Sequence, residues 1–238
     1  LLSGGGYAEQ VAVPAGQVLP IPDGVSLRDA AALPEVACTV WNNLVTQAGL
    51  RSGETLLVHG GSSGIGTMAI QLATALGARV IVTAGSSEKL DACTSLGADV
   101  GINYREQDFV TEALAATDDQ GVDVILDVVG AKYLDRNIQT LALDGRLVII
   151  GMQGGAKGEL NIARLLGKRG RIMTSGLRSR SIEEKAQIVA AVRERVWPWI
   201  ASGTVSPLVH ATYPLDQAGA AHRAMEDSQH IGKILLTL

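Results

Sequence analysis

The chain has 238 residues, 47% hydrophobic and 18% charged, with 28 glycines and a formal net charge of −4. That length accommodates one large domain or two unequal ones, with a core that needs no staples. A balance of 20 Lys+Arg against 24 Asp+Glu with 3% aromatics excludes a basic, base-stacking nucleic-acid surface, and no apolar run reaches the ~18 residues of a membrane helix.

Two distant cysteines, Cys38 and Cys93, read as buried free thiols and suit a reducing cytoplasm. The chain opens at Leu1-Leu2-Ser3, with neither a methionine nor a signal-like segment, and reads as a piece of a longer protein. Residues 1–34 carry the alternating run Tyr7–Val13, which predicts a strand, and then Pro14, Pro20, Pro22 and Pro34. That composition suits β-structure and turns.

From Thr55 the pattern changes. Thr55–His59 is a nearly continuous apolar run, the mark of a strand covered on both faces. A helix follows with Ile65, Ala69, Leu72 and Leu76 on one face, closed by Gly77. The cycle repeats as strand Arg79–Thr83, helix Ser86–Leu96, strand Val100–Asn103, helix Glu106–Ala116 and strand Val122–Val128. Helix Tyr133–Leu141, strand Arg146–Ile150, a short helix near Leu160–Gly167 and strand Arg171–Thr174 complete it. Short links between alternating strands and helices imply right-handed crossovers and an α/β, doubly wound parallel sheet of Rossmann type. Beyond it, Ser181–Ser202 predicts one long amphipathic helix, followed by strand Leu208–Tyr213, helix Leu215–Glu226 and strand Gly232–Leu238. The simplest topology is a sheet domain interrupted by a Rossmann unit.

The turn after the first strand carries the chemistry. It reads Gly61-x-x-Gly64-x-Gly66, with Ser63 where G-x-G-x-x-G has its second glycine. Small residues between a strand and a helix N-terminus let a diphosphate approach unpaired N–H groups. An NAD-binding unit places an Asp or Glu near the end of the second strand for the ribose 2′-OH. Here that strand runs into Ala84-Gly85-Ser86-Ser87, with no carboxylate before Glu88. Ser86 and Lys89 would accept a 2′-phosphate by hydrogen bond and point charge, favouring NADPH. A short-chain dehydrogenase has a similar loop, but its Tyr-x-x-x-Lys pair is missing. Asn137 stands four residues after Tyr133, and Asp108 four after Tyr104.

The runs His59–Leu72, Thr83–Ser86, Asn103–Arg105, Leu141–Arg146 and Ile231–Leu235 resemble the zinc-independent, zeta-crystallin-like quinone oxidoreductases of the medium-chain dehydrogenase/reductase superfamily. The resemblance covers essentially the whole chain. It implies a Rossmann domain inserted in a GroES-like β-barrel catalytic domain, here truncated. Residues 1–37 would be the end of the N-terminal catalytic part, 38–176 the NADPH-binding domain and 177–238 the return to the catalytic domain. The absent part would carry an asparagine and a tyrosine near the nicotinamide, so the resemblance assigns no catalytic residue here and implies a fragment that turns over quinone poorly alone.

By the same resemblance, Thr39 and the turn Gly61, Ser63, Gly64, Ile65 and Gly66 serve the nicotinamide side and the diphosphate. Ser86, Lys89 and Tyr104 surround the 2′-phosphate, and Val129, Gly151 and Met152 face the nicotinamide ribose. The implied activity is hydride transfer from NADPH to a quinone or related α,β-unsaturated carbonyl. The resemblance also implies a homodimer through the edge strand 171–174. Glu35 stands where zinc-dependent relatives place a Cys ligand, and His59, His210, His222 and His230 lack ligand spacing, so no metal is expected. Two alternatives share the fold: an enoyl reductase, free-standing or of polyketide synthase type, and a non-enzymatic NADPH-binding protein.

Overall fold

The computed structural model describes Leu2 and residues 4–238. A 3-10 turn at Ala15–Gln17 and the short helix α1 (Leu27–Ala30) precede α2 (Pro34–Val40), which runs unbroken into a π-helical segment at Trp41–Gln47. The Asn43 side chain there donates to the Thr39 carbonyl at 2.8 Å. Then come β1 (Thr55–His59), α3 (Gly64–Ala75), β2 (Arg79–Ala84), α4 (Ser87–Ser95), β3 (Val100–Asn103) and α5 (Phe109–Ala115). The series continues with β4 (Val122–Asp127), α6 (Leu134–Thr140), β5 (Leu141–Ile149), α7 (Ile162–Lys168) and β6 (Arg171–Thr174).

These six strands form one parallel sheet in the order β3-β2-β1-β4-β5-β6. The order reverses between β1 and β4, and the loops leaving the carboxyl ends of neighbouring strands diverge there to leave a crevice. Successive strand residues point to opposite faces, and both faces are apolar. Leu56, Val58, Val80, Val82, Val124, Leu126 and Val148 pack with α2, α3 and α8 (Ile182–Arg195). Leu57, Ile81, Ile102, Ile125 and Leu147 meet Phe109 and Val110 of α5 on the other face. Each such side chain contributes about 1.5–3 kcal/mol on burial.

After α8 the chain forms α9 (Trp197–Ala201), β7 (Val209–Pro214), a 3-10 turn at Leu215–Gln217, α10 (Ala218–Glu226) and β8 (Lys233–Thr237). β7 and β8 pair in parallel as a separate two-stranded sheet. Its start is tied to the glycine turn: Gly232 N donates to the Ser62 carbonyl at 2.9 Å, beside a bridge between Ser63 and Gly232. The N-terminal segment lies against α8 and α9. A Cβ on Gly16 would sit 2.9 Å from the Ala186 side chain, and Trp197 Nε1 donates to the Pro20 carbonyl at 2.8 Å. No helix among the described residues is long and apolar enough to cross a membrane.

Four expectations change. Tyr7–Val13 is not a strand, and Tyr7, Val11 and Val13 are exposed. Alternation supplies the side-chain pattern of a strand, but among the described residues this segment pairs with no strand, although Tyr7 lies near Ile234 and Leu236 of β8. The helix expected over Ser181–Ser202 divides at Val196, because Pro198 has no N–H to continue the ladder from α8. The helix expected from Leu215 starts as a 3-10 turn and becomes α-helical only at Ala218. The strand expected from Arg146 begins at Leu141, which pairs with Val122 across a register shift before Arg146 pairs with Val124; elsewhere the shifts are small. α5 begins at Phe109 because Asp108 caps it, its carboxylate accepting from Thr111 N at 3.1 Å.

Candidate dinucleotide-binding site

The site grows from the end of β1. Gly60 turns with φ 73°, and the N–H groups of Gly60 and Gly61 both donate to the Thr83 carbonyl at the end of β2. Ser63 is the N-cap of α3, its Oγ accepting from Gly66 N at 3.0 Å, while Thr67 N donates to the Ser63 carbonyl. Among the described residues the N–H groups of Gly64 and Ile65 find no acceptor. Two unsatisfied donors at the positive end of a 12-residue helix are a ready seat for an anion.

The glycines are there for space. A Cβ on Gly66 would lie 2.3 Å from the Gly60 carbonyl oxygen, and one on Gly61 would lie 2.8 Å from Cβ of Val82. A Cβ on Gly64 would meet only the flexible Lys233 chain. Gly61 and Gly66 therefore act from beneath, letting the turn close down on the sheet, while Ser63, Gly64 and Ile65 form its open surface.

That surface lines a cleft of about 380 Å³ together with Gly85, Lys89, Tyr104, Val128 and Gln153. Its far wall comes from the C-terminal segment, through Met225, Ser228, His230, Gly232 and Lys233. Ser86 caps α4, its Oγ accepting from Lys89 N at 3.4 Å. Lys89 Nζ donates to the Ser228 carbonyl, and burial, with the neighbouring Arg105 charge, lowers its pKa. Gly85 has no side chain, and Tyr104 Oη and Arg105 Nε close in to 2.7 and 3.1 Å from where a Cβ would stand. Among the described residues no carboxylate lines the cleft.

A second cleft of about 520 Å³ opens past the ends of β4, β5 and β6, lined among others by Gly130, Gly151, Met152, Thr174 and Ser175. A Cβ on Gly151 would stand 2.6 Å from the Val128 carbonyl oxygen, so only glycine fits. Val129 lies between the clefts, its N–H held by Asp127 at 2.7 Å and its carbonyl by Gly154 N at 2.7 Å. Thr39 lines neither cleft. Its hydroxyl donates to Glu35 Oε1 at 3.0 Å, and Glu35 pairs with Lys233 across the glycine turn.

A buried polar knot sits under the crevice. His59 Nε2 donates to Asn137 Oδ1 at 2.7 Å, which leaves Nδ1 to accept from the Thr83 hydroxyl at 3.1 Å. Phe109 and Tyr133 pack edge-on against the imidazole. Burial pushes its pKa down to about 4, so the ring is neutral. Asp127 is also fully buried, and that burial raises its pKa even though it accepts the N–H groups of Val129 and Gly130.

The expected residues thus divide into an open cleft wall (Ser63, Gly64, Ile65, Lys89, Tyr104), supports beneath it (Gly61, Gly66, Ser86), a second cleft (Gly151, Met152), and two set back from both (Thr39, Val129). Sequence reasoning missed Arg105, although a basic residue just past β3 was a usable signal. It also missed Ser228 and His230, about 140 residues from Lys89, for which no local signal exists.

A six-stranded parallel sheet in this order, with a glycine turn and free helix N–H groups at its crevice, defines a dinucleotide-binding Rossmann protein. The zinc-binding dehydrogenase family matches residues 64–194. The rat quinone oxidoreductase is 32% identical over 98% of this chain and 70% of its own length. A phenolphthiocerol/phthiocerol polyketide synthase polypeptide of Mycobacterium tuberculosis is 29% identical over 98% of the chain, which covers 11% of that protein. Among solved structures, the quinone oxidoreductase of Thermus thermophilus, determined also as its complex with NADPH, aligns with TM-score 0.87 and 33% identity over 99% of this chain and 75% of that one. An NAD-dependent alcohol dehydrogenase aligns with TM-score 0.87 and 34% identity, and the chain spans 65% of its length.

The chain belongs to the zinc-binding dehydrogenase family, among the quinone oxidoreductase-like members of the medium-chain dehydrogenase/reductase superfamily.

Glu35 is engaged by Lys233 at 3.0 Å and by Thr39, and burial pushes the Cys38 thiol up to about 11. Among the described residues no three His, Cys, Asp or Glu side chains gather closely enough to hold an ion.

Proposed function

We propose that the chain binds NADPH in preference to NADH and contributes the cofactor half of a zinc-independent oxidoreductase that reduces a quinone or related α,β-unsaturated carbonyl. One observation carries the reading: the free N–H groups of Gly64 and Ile65 open onto a cleft lined by Lys89 and Tyr104, with Arg105 close behind at Gly85, and no carboxylate among the described residues lines it. Gly64 and Ile65 hold the diphosphate, with Gly61, Ser63 and Gly66 shaping the turn. Lys89, Tyr104 and the cap residue Ser86 receive the 2′-phosphate. Thr39, Val129, Gly151 and Met152 lie towards the nicotinamide, where the larger cleft provides room for an acceptor. The chemistry that NADPH supplies when bound is a hydride, and this chain's contribution is to place it by proximity and orientation. In domain terms, residues 38–176 hold the cofactor, and residues 1–37 and 177–238 belong to the catalytic domain.

Fluorescence titration with both nicotinamides tests the reading: NADPH binds more tightly, and Lys89→Ala weakens NADPH about tenfold while leaving NADH unchanged. Tighter binding of NADH would sink it. The acceptor has a second reading, an enoyl thioester, favoured by the similarity to the polyketide synthase.

We further propose a two-fold homodimer formed through β6, which has a sheet neighbour on one side only. Ile162 and Leu166 on the adjacent α7 are 71% and 76% exposed, an apolar face suited to a second copy. Light scattering at micromolar concentration reports a dimer mass, and a monomer mass would refute it.

A further inference from the structure

The smaller cleft contains an ionisable group that these cofactor contacts leave unused. His230 lies between α10 and β8 and lines the cleft opposite Lys89 and Tyr104. It is half-buried, and its Nδ1 is shut off from solvent without a hydrogen-bond partner. His210 on β7 faces it edge-on, with ring centroids 6.3 Å apart, and has its own Nδ1 occupied by Ile231 N.

The surrounding charge is mostly positive. Lys89 approaches from α4, held against the Ser228 carbonyl, and Arg105 stands behind it next to Gly85. Lys233 on β8 also lines the cleft, but its charge is matched by Glu35. On α10 the Ala224 carbonyl faces the imidazole. Glu226 and Asp227 on the same segment, and Glu88 on α4, are exposed to solvent. Burial, then the charges of Lys89 and His210, lowers the His230 pKa below the ordinary imidazole value. At neutral pH the ring is therefore uncharged.

An incoming phosphate dianion would reverse the sign of that field. We propose that His230 is a specificity-determining residue: it takes up one proton from solvent when a phosphorylated ribose binds beside Lys89, so preference for the 2′-phosphorylated dinucleotide strengthens as pH falls. This rests on the NADPH reading above. The sign follows from linkage. A group whose pKa is higher in the complex than in the free protein adds affinity below the free-state pKa and loses that contribution as pH rises through the complex value.

Isothermal titration of the full chain with NADPH and with NADH, from about pH 6 to 8 in buffers of different ionisation enthalpy, counts the protons directly. The native chain takes up more protons per NADPH than His230→Gln does. At about pH 6 the variant binds NADPH about fivefold more weakly, and at about pH 8 equally well, while NADH binding is unchanged throughout. The free nucleotide's ionisation is the same in both titrations, so a difference in proton count belongs to the coupled His230–phosphate pair. His230→Lys restores tight binding at low pH and flattens the profile. Equal proton counts and parallel pH profiles in native and His230→Gln, with NADPH still preferred, would overturn the role of His230 alone. Absence of NADPH binding, or preference for NADH, in both proteins would overturn the parent reading and this proposal with it.

Discussion

The six-stranded sheet and the N-terminal segment are built by opposite means. In the sheet, every inner strand is largely apolar on both faces and is flanked by hydrogen-bonded neighbours, so burial and ladder bonds both hold it in place. Tyr7–Val13 has an alternating pattern but pairs with no strand among the described residues, and Tyr7, Val11 and Val13 remain exposed. A strand pattern states which face should be buried, and only a neighbouring edge turns that statement into structure. The C-terminal segment is intermediate. Its two strands pair with each other, and it meets the rest at Gly232 on the glycine turn, at the Lys89–Ser228 contact and at the Lys233–Glu35 pair.

The contrast can be broken by substitution. Phe109 is fully buried against His59, Tyr133 and the sheet, and Arg136 lies over its ring at 4.1 Å. Phe109→Ala lowers unfolding free energy by about 3–5 kcal/mol in denaturant titration, whereas Val11→Ala changes it by less than about 0.5 kcal/mol. A comparable cost at both positions would mean that the N-terminal segment is as tightly built as the sheet.

Acid separates the same regions by a different force. With its pKa near 4 in the fold and about 6.5 when unfolded, His59 contributes stability above about pH 6.5 that is lost as pH falls towards 4. The loss amounts to as much as about 3 kcal/mol, read from unfolding midpoints across that window. It disappears in His59→Leu, which is less stable at neutral pH but flatter in its response. A native-like slope in the variant would place the acid sensitivity elsewhere.

A smaller effect sharpens the comparison at the site. Gly66→Ala forces a methyl group onto the Gly60 carbonyl oxygen and costs about 1–3 kcal/mol in thermal unfolding, with dinucleotide binding lost in the still-folded protein. Gly64→Ala displaces only the Lys233 chain and costs less. Equal losses would show that the turn is not held from beneath.

Much of the sheet was legible because its signal is local. Val100–Asn103 and Arg171–Thr174 fall where their short runs predict, each following a glycine turn. The glycine turn was legible for the same reason, since strand, small residues and helix are contiguous in the chain. Pro198 was equally visible, yet the continuous apolar periodicity over 181–202 outweighed it, and the helix divides there. The site was readable on one wall only. Ser63, Lys89 and Tyr104 follow successive strands, whereas Ser228 and His230 reach the cleft because β8 is anchored at Gly232.

Chain order and side-chain type alone determined a parallel α/β sheet, its glycine turn and a cofactor groove without a carboxylate, because these rest on residues a few positions apart. Folding in three dimensions decided which histidine stays neutral in the core, which faces Lys89, and whether an alternating run becomes a strand. Those outcomes depend on burial and on the electric field of groups far away in the chain, and neither quantity exists until the distant segments meet.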